Sequence, residues 1–444
     1  MKPRLSTLLC LLVISCGDLT VQWFSEFSPV GSGDCHINNI CYFKNFYVTG
    51  YSKLNGIRSA IIAQYDNTGR LSWFKINENN RNKFSEGLWV TATTEFSLKN
   101  NGVIYQLMKT CDFEENNKLY LIKYDSLGKV VWEKVVQESK YEISGQIFVG
   151  RDFAIYIVGM IDCKSDSGKI FIKKYSAAGI EYISNEYSLK SLRIGNCKFL
   201  LTNSKEIVTA GVLKDRNNLF YLRFDSLGAF KEMIEYKSVE DEVDLCDFKI
   251  DEMGNLYLTG IVWGINSKFD WITIVYNKDN SLRWVKRYDG LAHQDDIPMG
   301  ILVDDSLNVY VAGGTNKSEN MCDILLIKYN ANGDTLWAKN FSTEERGESI
   351  TPFFLNTDIT RPIRWKGINF LYITALSSNK IILLKYNLEG RLIKCYRYSL
   401  KDKPIKLTAQ DGLFIALECD EENITKSYLL GLGRFELLGI NRWD

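Results

Sequence analysis

Carboxylates are abundant candidates for chemistry in this chain: 444 residues include 54 acidic and 54 basic side chains but only two histidines. Three of the acids share a position. Glu142, Asp244 and Asp296 lie 17, 16 and 17 residues ahead of a recurrent glycine, namely Gly159, Gly260 and Gly313. Carboxylates converging from repeated positions would hold Ca²⁺ or a cationic ligand. Held apart, each would cap its own turn through local hydrogen bonds. His36 and His293 stand in no His-x-x-x-His or Cys/His spacing, which removes a His-rich metal site. A Ser-His-Asp arrangement has no Gly-x-Ser-x-Gly elbow behind it, and no phosphate-cradling glycine loop occurs; Gly431-Leu432-Gly433 reads as a turn. The acidic stretches 240–244 and 420–422 read as solvated loops. Zero net charge argues against nucleic acid and anionic lipid as partners, since both select a basic surplus.

The elements that must position these residues repeat. An apolar run ending in an aromatic recurs at Tyr65, Tyr124, Tyr175, Phe224, Tyr276, Tyr329 and Tyr386, at intervals of 59, 51, 49, 52, 53 and 57 residues. Four residues later stands Gly69, Gly128, Gly179, Gly228, Gly333 or Gly390, and in the remaining copy Asn280, the residue that best replaces Gly at positive φ. Eight residues after the aromatic, four copies carry Trp73, Trp132, Trp284 and Trp337. Run, turn and second run make a hairpin. A second element precedes it, clearest as Gly254-Asn255-Leu256-Tyr257-Leu258-Thr259-Gly260 and Leu307-Asn308-Val309-Tyr310-Val311-Ala312-Gly313, with degenerate copies around Tyr105, Tyr372 and Phe414. A turn before it, in the clear copies, lies a further apolar segment, as in Ile301-Leu302-Val303-Asp304. Each unit is therefore four short strands, with runs too short and too often broken by Gly, Asn and Asp for helices.

Four-strand units at this period are the signature of propeller blades, whose faces are buried only by stacking on neighbours. The expected fold is all-β: a β-propeller of four-stranded antiparallel blades, eight by count of the second element, with seven as the alternative. Val21–Phe27, bearing Trp23, has no blade of its own and is expected to complete the last one, which contains Leu413–Leu417. The stretch from Asp296 through Asn308-Val309-Tyr310-Val311-Ala312-Gly313 to Asn332-Gly333 and Trp337 resembles the bacterial β-propeller repeat found in tandem in secreted proteins. Eight degenerate blades also resemble, in architecture alone, the quinoprotein-like propellers, among them an outer-membrane lipoprotein that scaffolds β-barrel assembly. Quinone-dependent dehydrogenases of that shape show a vicinal Cys pair, which this chain lacks.

At the N-terminus Lys2 and Arg4 precede ten apolar-rich residues, 5–14, too few to span a bilayer. The run ends Val13-Ile14-Ser15-Cys16, which resembles the bacterial lipoprotein cleavage box. That resemblance implies a signal peptide over 1–15, a lipidated Cys16 and a short anchored linker over 16–20; the repeats then form a single propeller domain over 21–444. Two or three acyl chains anchor a protein stably. The sequence following Cys16 leans toward the outer membrane, with the body periplasmic or surface-exposed. Of eleven Cys, nine remain after Cys10 and Cys16 are set aside, so at least one thiol is left over within the chain. Cys197 and Cys246 occupy equivalent positions in adjacent units, and Cys111 and Cys163 do likewise; bridges and buried thiols both fit that spacing.

The expected function is that of a lipid-anchored binding or scaffold protein without catalysis, with no cofactor beyond Ca²⁺ at the acidic rim of Glu142, Asp244 and Asp296. Its partner would be a protein or glycan of the cell envelope, and its only membrane contact the lipid anchor. The alternatives are a propeller hydrolase or lyase acting on a glycan or small molecule at the channel mouth, and an outer-membrane assembly scaffold. Metabolic labelling with a fatty-acid analogue should mark the wild type and not Cys16→Ser; equal labelling of both would remove the anchor.

Overall fold

The computed structural model describes residues 21–26, 34–76, 93–96, 103–342, 370–399 and 403–432, with short interruptions at 44, 55–56, 67, 112–115, 151, 163–166, 191–196, 214–217, 238–241, 264–267, 319–320, 378–379, 412–413 and 422–423. Cys16 and the cleavage box lie outside them. Every described element of regular structure is a strand. After β1 (Val21–Glu26) come four-stranded sheets in chain order: β2 (Asp34–Phe43), β3 (Asn45–Leu54), β4 (Ile57–Tyr65) and β5 (Leu71–Ile76), then β6 (Thr93–Phe96), β7 (Ile104–Cys111), β8 (Asn117–Tyr124) and β9 (Val130–Ser139). The next comprises β10 (Glu142–Val149), β11 (Ile155–Asp162), β12 (Ser167–Tyr175) and β13 (Glu181–Lys190). It is followed by β14 (Lys198–Leu201), β15 (Ile207–Val212), β16 (Asn218–Phe224) and β17 (Phe230–Lys237). The two best-defined repeats form β18 (Val243–Ile250), β19 (Leu256–Trp263), β20 (Phe269–Tyr276) and β21 (Leu282–Tyr288), and β22 (Asp296–Val303), β23 (Val309–Ser318), β24 (Met321–Tyr329) and β25 (Thr335–Phe341). A sheet with three described strands contains β26 (Phe370–Ser377), β27 (Lys380–Asn387) and β28 (Leu392–Ser399). The last contains β29 (Lys403–Asp411), β30 (Phe414–Glu421) and β31 (Ile424–Leu432), in the order β1-β31-β30-β29.

Eight sheets match the eight units read from the repeat. The first strand does complete the last sheet: β1 runs antiparallel to β31, with Trp23 opposite Gly431 and Phe24 opposite Leu430. That pairing covers an edge that would otherwise offer a row of unpaired amides.

The chain divides into two compact units. One holds 1–159, 174–182 and 401–444; the other holds 160–173 and 183–400. In the first, Tyr47, Ala60 and Ile62 of one sheet pack with Ile104, Met108, Ile122 and Tyr124 of the next. In the second, the same layering joins β15 and β16 to β18–β20, β19–β21 to β22–β24, and β23 and β24 to β26 and β27. The apolar runs are thus buried on both faces, β16 along its whole length, while β25, last in its sheet, is largely exposed.

Turn chemistry fixes where sheets meet. In the third hairpin of several units a side-chain oxygen accepts two backbone N–H groups: Asp125 Oδ1 takes those of Leu127 and Lys129, and Asn330 Oδ1 those of Asn332 and Asp334. The turn closes through a residue at positive φ, Gly128 (74°), Gly333 (84°) or, as the sequence anticipates, Asn280 (68°). These glycines do more than turn the chain. A Cβ on Gly128, Gly179, Gly333 or Gly390 would stand 2.7, 3.1, 2.8 or 2.7 Å from the indole of Trp73, Trp132, Trp284 or Trp337 in the preceding sheet. Trp284 also donates from Nε1 to Ala331 O, at 3.1 Å.

The turns between first and second strands obey the same rule with worse residues: Phe153, Lys205 and Leu307 sit at φ 61°, 64° and 61°. Gly333→Ala adds both strain and a clash and should cost about 2 kcal/mol or more. Leu307→Gly relieves a strained bulky residue and should be neutral or stabilising by about 1 kcal/mol. Paired urea melts decide it; equal losses from both would contradict the turn geometry.

Candidate functional site

The residues that recur are consumed in building sheets. Asp304 Oδ1 accepts the N–H groups of Ser306 and Asn308, and its Oδ2 accepts from Asn308 Nδ2 and the Tyr310 hydroxyl, both at 2.9 Å. Asp251 repeats this set with Met253, Asn255 and Tyr257. Where a Lys precedes the aromatic anchor it lies over the cross-strand Tyr, as with Lys328 over Tyr310 and Lys123 over Tyr105, at 5.0 and 5.6 Å from the ring centre. It then donates to a turn carbonyl of the next sheet, Leu388 and Ala177 respectively. Cys197 and Cys246 are present as thiols, and burial pushes Cys197 up to about 12.

The three acids marked by spacing meet different surroundings. Glu142 heads β10, is 68% exposed, and pairs with Lys109 Nζ at 3.2 Å. Asp244 is half-buried and accepts the N–H of Leu245. Asp296 heads β22 and is fully buried. A spacing of 16 against 17 residues separates the last two. Leu245 pairs with Gly260, whereas Pro298 pairs with Gly313, so Asp244 aligns with Ile297 rather than with Asp296. Because strand side chains alternate, one residue of offset sends the two carboxylates to opposite faces. Strands β18 and β22 carry the same burial pattern with Val243, not Asp244, in the place of Asp296.

Asp296 instead meets two acids that the spacing did not mark. One carboxylate oxygen from each of Asp270, Asp289 and Asp296 lies within 4.8 Å of the others. Asp270 sits near the start of β20 and is 1% exposed. Its Oδ2 accepts from Arg287 Nε at 2.6 Å across the β20–β21 pair, while Oδ1 is buried with no donor. Asp296 Oδ2 accepts the Gly290 N–H at 2.6 Å, with Thr315 also donating to this carboxylate, and Oδ1 again is buried with no donor. Asp289 comes from the β21–β22 connection and receives His293 Nδ1 at 2.7 Å on Oδ2. His293 itself is mostly exposed at φ 49°, with its N–H bonded to Gly290 O. Burial, followed by the like charges of Asp270 and Asp289, pushes Asp296 up from 3.8 to about 6 despite Thr315 and Gly290. The donors are all hard oxygens.

The same end of these two sheets carries exposed apolar groups. Trp263, 47% exposed at the end of β19, packs edge-on against Phe269 at 4.9 Å, and Leu291 in the β21–β22 connection is fully exposed. A signal for Asp270 does exist in the sequence. Six residues before the anchor aromatic stand Lys169, Asn218, Asp270 and Asp323, and each pairs with a polar residue 17 positions later: Glu186, Glu235, Arg287 and Asn340.

No known protein family and no curated protein matches the sequence. Solved structures do resemble it. The Dos1 propeller aligns with a TM-score of 0.51 at 11% identity, over 92% of this chain and 95% of that one. The WD40 domain of SCAP from fission yeast aligns at 0.49 with 11% identity, over 93% and 98%. Polysaccharide lyase Uly1 aligns at 0.46 with 11% identity, over 92% and 91%. Strand topology and the likeness to the Dos1 propeller establish the fold class: an all-β β-propeller of four-stranded antiparallel blades. Identity this low speaks for fold and leaves function to the site.

The raised Asp296 has a consequence for stability. Its folded value of about 6 exceeds that of an unfolded Asp, roughly 3.9. The folded chain therefore binds this proton more tightly. The resulting stabilisation is complete below about pH 4 and is lost as pH rises through about 6; it amounts to roughly 2–3 kcal/mol. In chelator-treated protein, Asp296→Asn should be more stable than wild type at pH 7.5 and lose that advantage near pH 4. A pH-independent difference in urea melts would contradict this.

Proposed function

We propose that this propeller is a non-catalytic binding or scaffold protein of the cell envelope, held by a lipid on Cys16 and composed of units like the tandem bacterial β-propeller repeats of secreted proteins. The observation that carries the binding reading is an asymmetry between the two ends of the sheets. At the turn end, repeated residues are committed to blade-to-blade contacts. At the opposite end of β18–β25, residues peculiar to single units gather: exposed Trp263 and Leu291 beside the acids of the β21–β22 connection. An exposed aromatic flanked by charge is the composition of a docking surface for protein or glycan. Connections at the ends of a rigid scaffold are where recognition is carried.

A raised carboxyl is also the mark of a general acid, the chemistry an envelope hydrolase or lyase would use. Asp296 is fully buried, however, and a group that transfers a proton must reach its substrate. The binding reading is therefore preferred.

The test is crosslinking of the intact lipoprotein in envelope membranes, alongside a glycan array. Trp263→Ala with Leu291→Ser should lose the captured protein or glycan at unchanged Tm, while Glu142→Gln and Asp244→Asn, made singly, test each acid for a share in capture. Unaltered capture by the Trp263 and Leu291 variant would remove this face. Turnover of a glycan or ester panel, abolished by one carboxylate substitution, would replace binding with catalysis.

A further inference from the structure

We propose that Asp270, Asp289 and Asp296 bind one divalent cation, with Ca²⁺ the preferred ion. The first argument is the pair of orphaned oxygens. Asp270 and Asp296 are 1% and 0% exposed, and in each the Oδ1 has no donor while the Oδ2 is engaged. Buried carboxylate oxygens are ordinarily hydrogen-bonded, because stripping water from them without replacement is costly. Two such oxygens in one three-acid cluster point to a positive partner between them.

The second argument is charge. Three carboxylates against the single guanidinium of Arg287 leave two negative charges in excess, which one divalent ion neutralises. Arg287 does not do this alone, since its Nε is already bonded to Asp270 Oδ2.

The third is space. A Cβ on Gly290 would stand 2.8 Å from Thr315 Oγ1 and 2.9 and 3.0 Å from the two Asp296 oxygens. Glycine keeps the approach to that carboxylate clear, and the Thr315 hydroxyl lies on the same side as a further oxygen donor.

The choice of ion follows from the donors. All are oxygens, which disfavours Zn²⁺, an ion that selects thiolate and imidazole. The candidate atoms lie within 4.8 Å of one another, no more than twice a Ca²⁺–O bond of roughly 2.3–2.6 Å. Two of the acids sit on strands of adjacent sheets and the third on the connection between them, a combination that suits the variable coordination of Ca²⁺ better than the strict octahedron of Mg²⁺. The ion would tie the β21–β22 connection to both sheets that it joins.

Calorimetric titration of the full mature chain, freed of metal by chelation, tests this without any partner, so it stands or falls separately from the docking face. CaCl₂ should bind at one ion per chain and raise the Tm by a few degrees, with MgCl₂ at least tenfold weaker. Asp289→Asn, at a partly exposed position, and Gly290→Ala should each weaken Ca²⁺ at least tenfold while near-ultraviolet circular dichroism shows the native fold. Asp296→Asn should bind no Ca²⁺, and Asp244→Asn should bind as wild type does. Absence of Ca²⁺ binding by folded wild type overturns the proposal. So does binding undiminished in all three site variants, or tighter binding of Zn²⁺ than of Ca²⁺.

Discussion

Contact between a turn glycine and the indole of the preceding sheet governs this molecule. Gly128 on Trp73, Gly333 on Trp284 and Gly390 on Trp337 leave no room for a Cβ, so the closeness of consecutive sheets is set by a missing methyl group. The glycine is required twice over, once for its positive φ and once for the flat ring laid against it. Everything between those contacts follows. Apolar third strands are sandwiched at the sheet separation that the ring dictates, and Lys123 and Lys328 lie along Tyr rings with their ammonium groups on the next turn's carbonyl. The large buried area of the indole supplies adhesion, and the hydrogen bond from Trp284 Nε1 to Ala331 O supplies orientation.

Such a device constrains one end of each sheet and leaves the other free. Turns at the constrained end vary little, since each presents a residue at positive φ in a fixed place, glycine in all copies but that of Asn280. Connections at the opposite end need only span from the last strand of one sheet to the first of the next. That is where Gly290, His293 and Asp289 are found, and where Asp270 and Asp296 each bury one carboxylate oxygen, Oδ1, without a donor. Asp323, a positional equivalent of Asp270, differs: its carboxylate accepts from both Lys317 and Asn340. The same position in the next unit is therefore served by a cation and an amide.

The fold was legible because its rules are local and repeated. Asn280 at positive φ followed from its place in the glycine column, and the lone Trp23 strand pointed to a sheet lacking its outer member. Positive φ at Phe153, Lys205 and Leu307 was not legible, since those residues have no intrinsic preference for it and are held there by the bonds of the surrounding turn. The acidic cluster was only one-third legible. Asp296 stands out by its spacing, but Asp244 shares that spacing only to within one residue, and in a pleated strand a slip of one residue is the whole difference between two faces. Asp270 and Asp289 belong to the preceding unit, on a strand and a connection that an alignment of first strands does not compare. Contacts across the seam between repeats are invisible to a method that superposes repeats upon themselves.

The pairing of β1 with β31 sets an order of events. The strand made first must wait for the strand made last, because Val21–Glu26 finds its neighbour only when Ile424–Leu432 has emerged. The other seven sheets draw their strands from neighbours in sequence, whereas this one joins the two most distant described strands. Until they meet, β31 keeps an open edge of unpaired amides. Loss of either strand, by truncation at one end or the other, should therefore turn a closed sheet into an adhesive one.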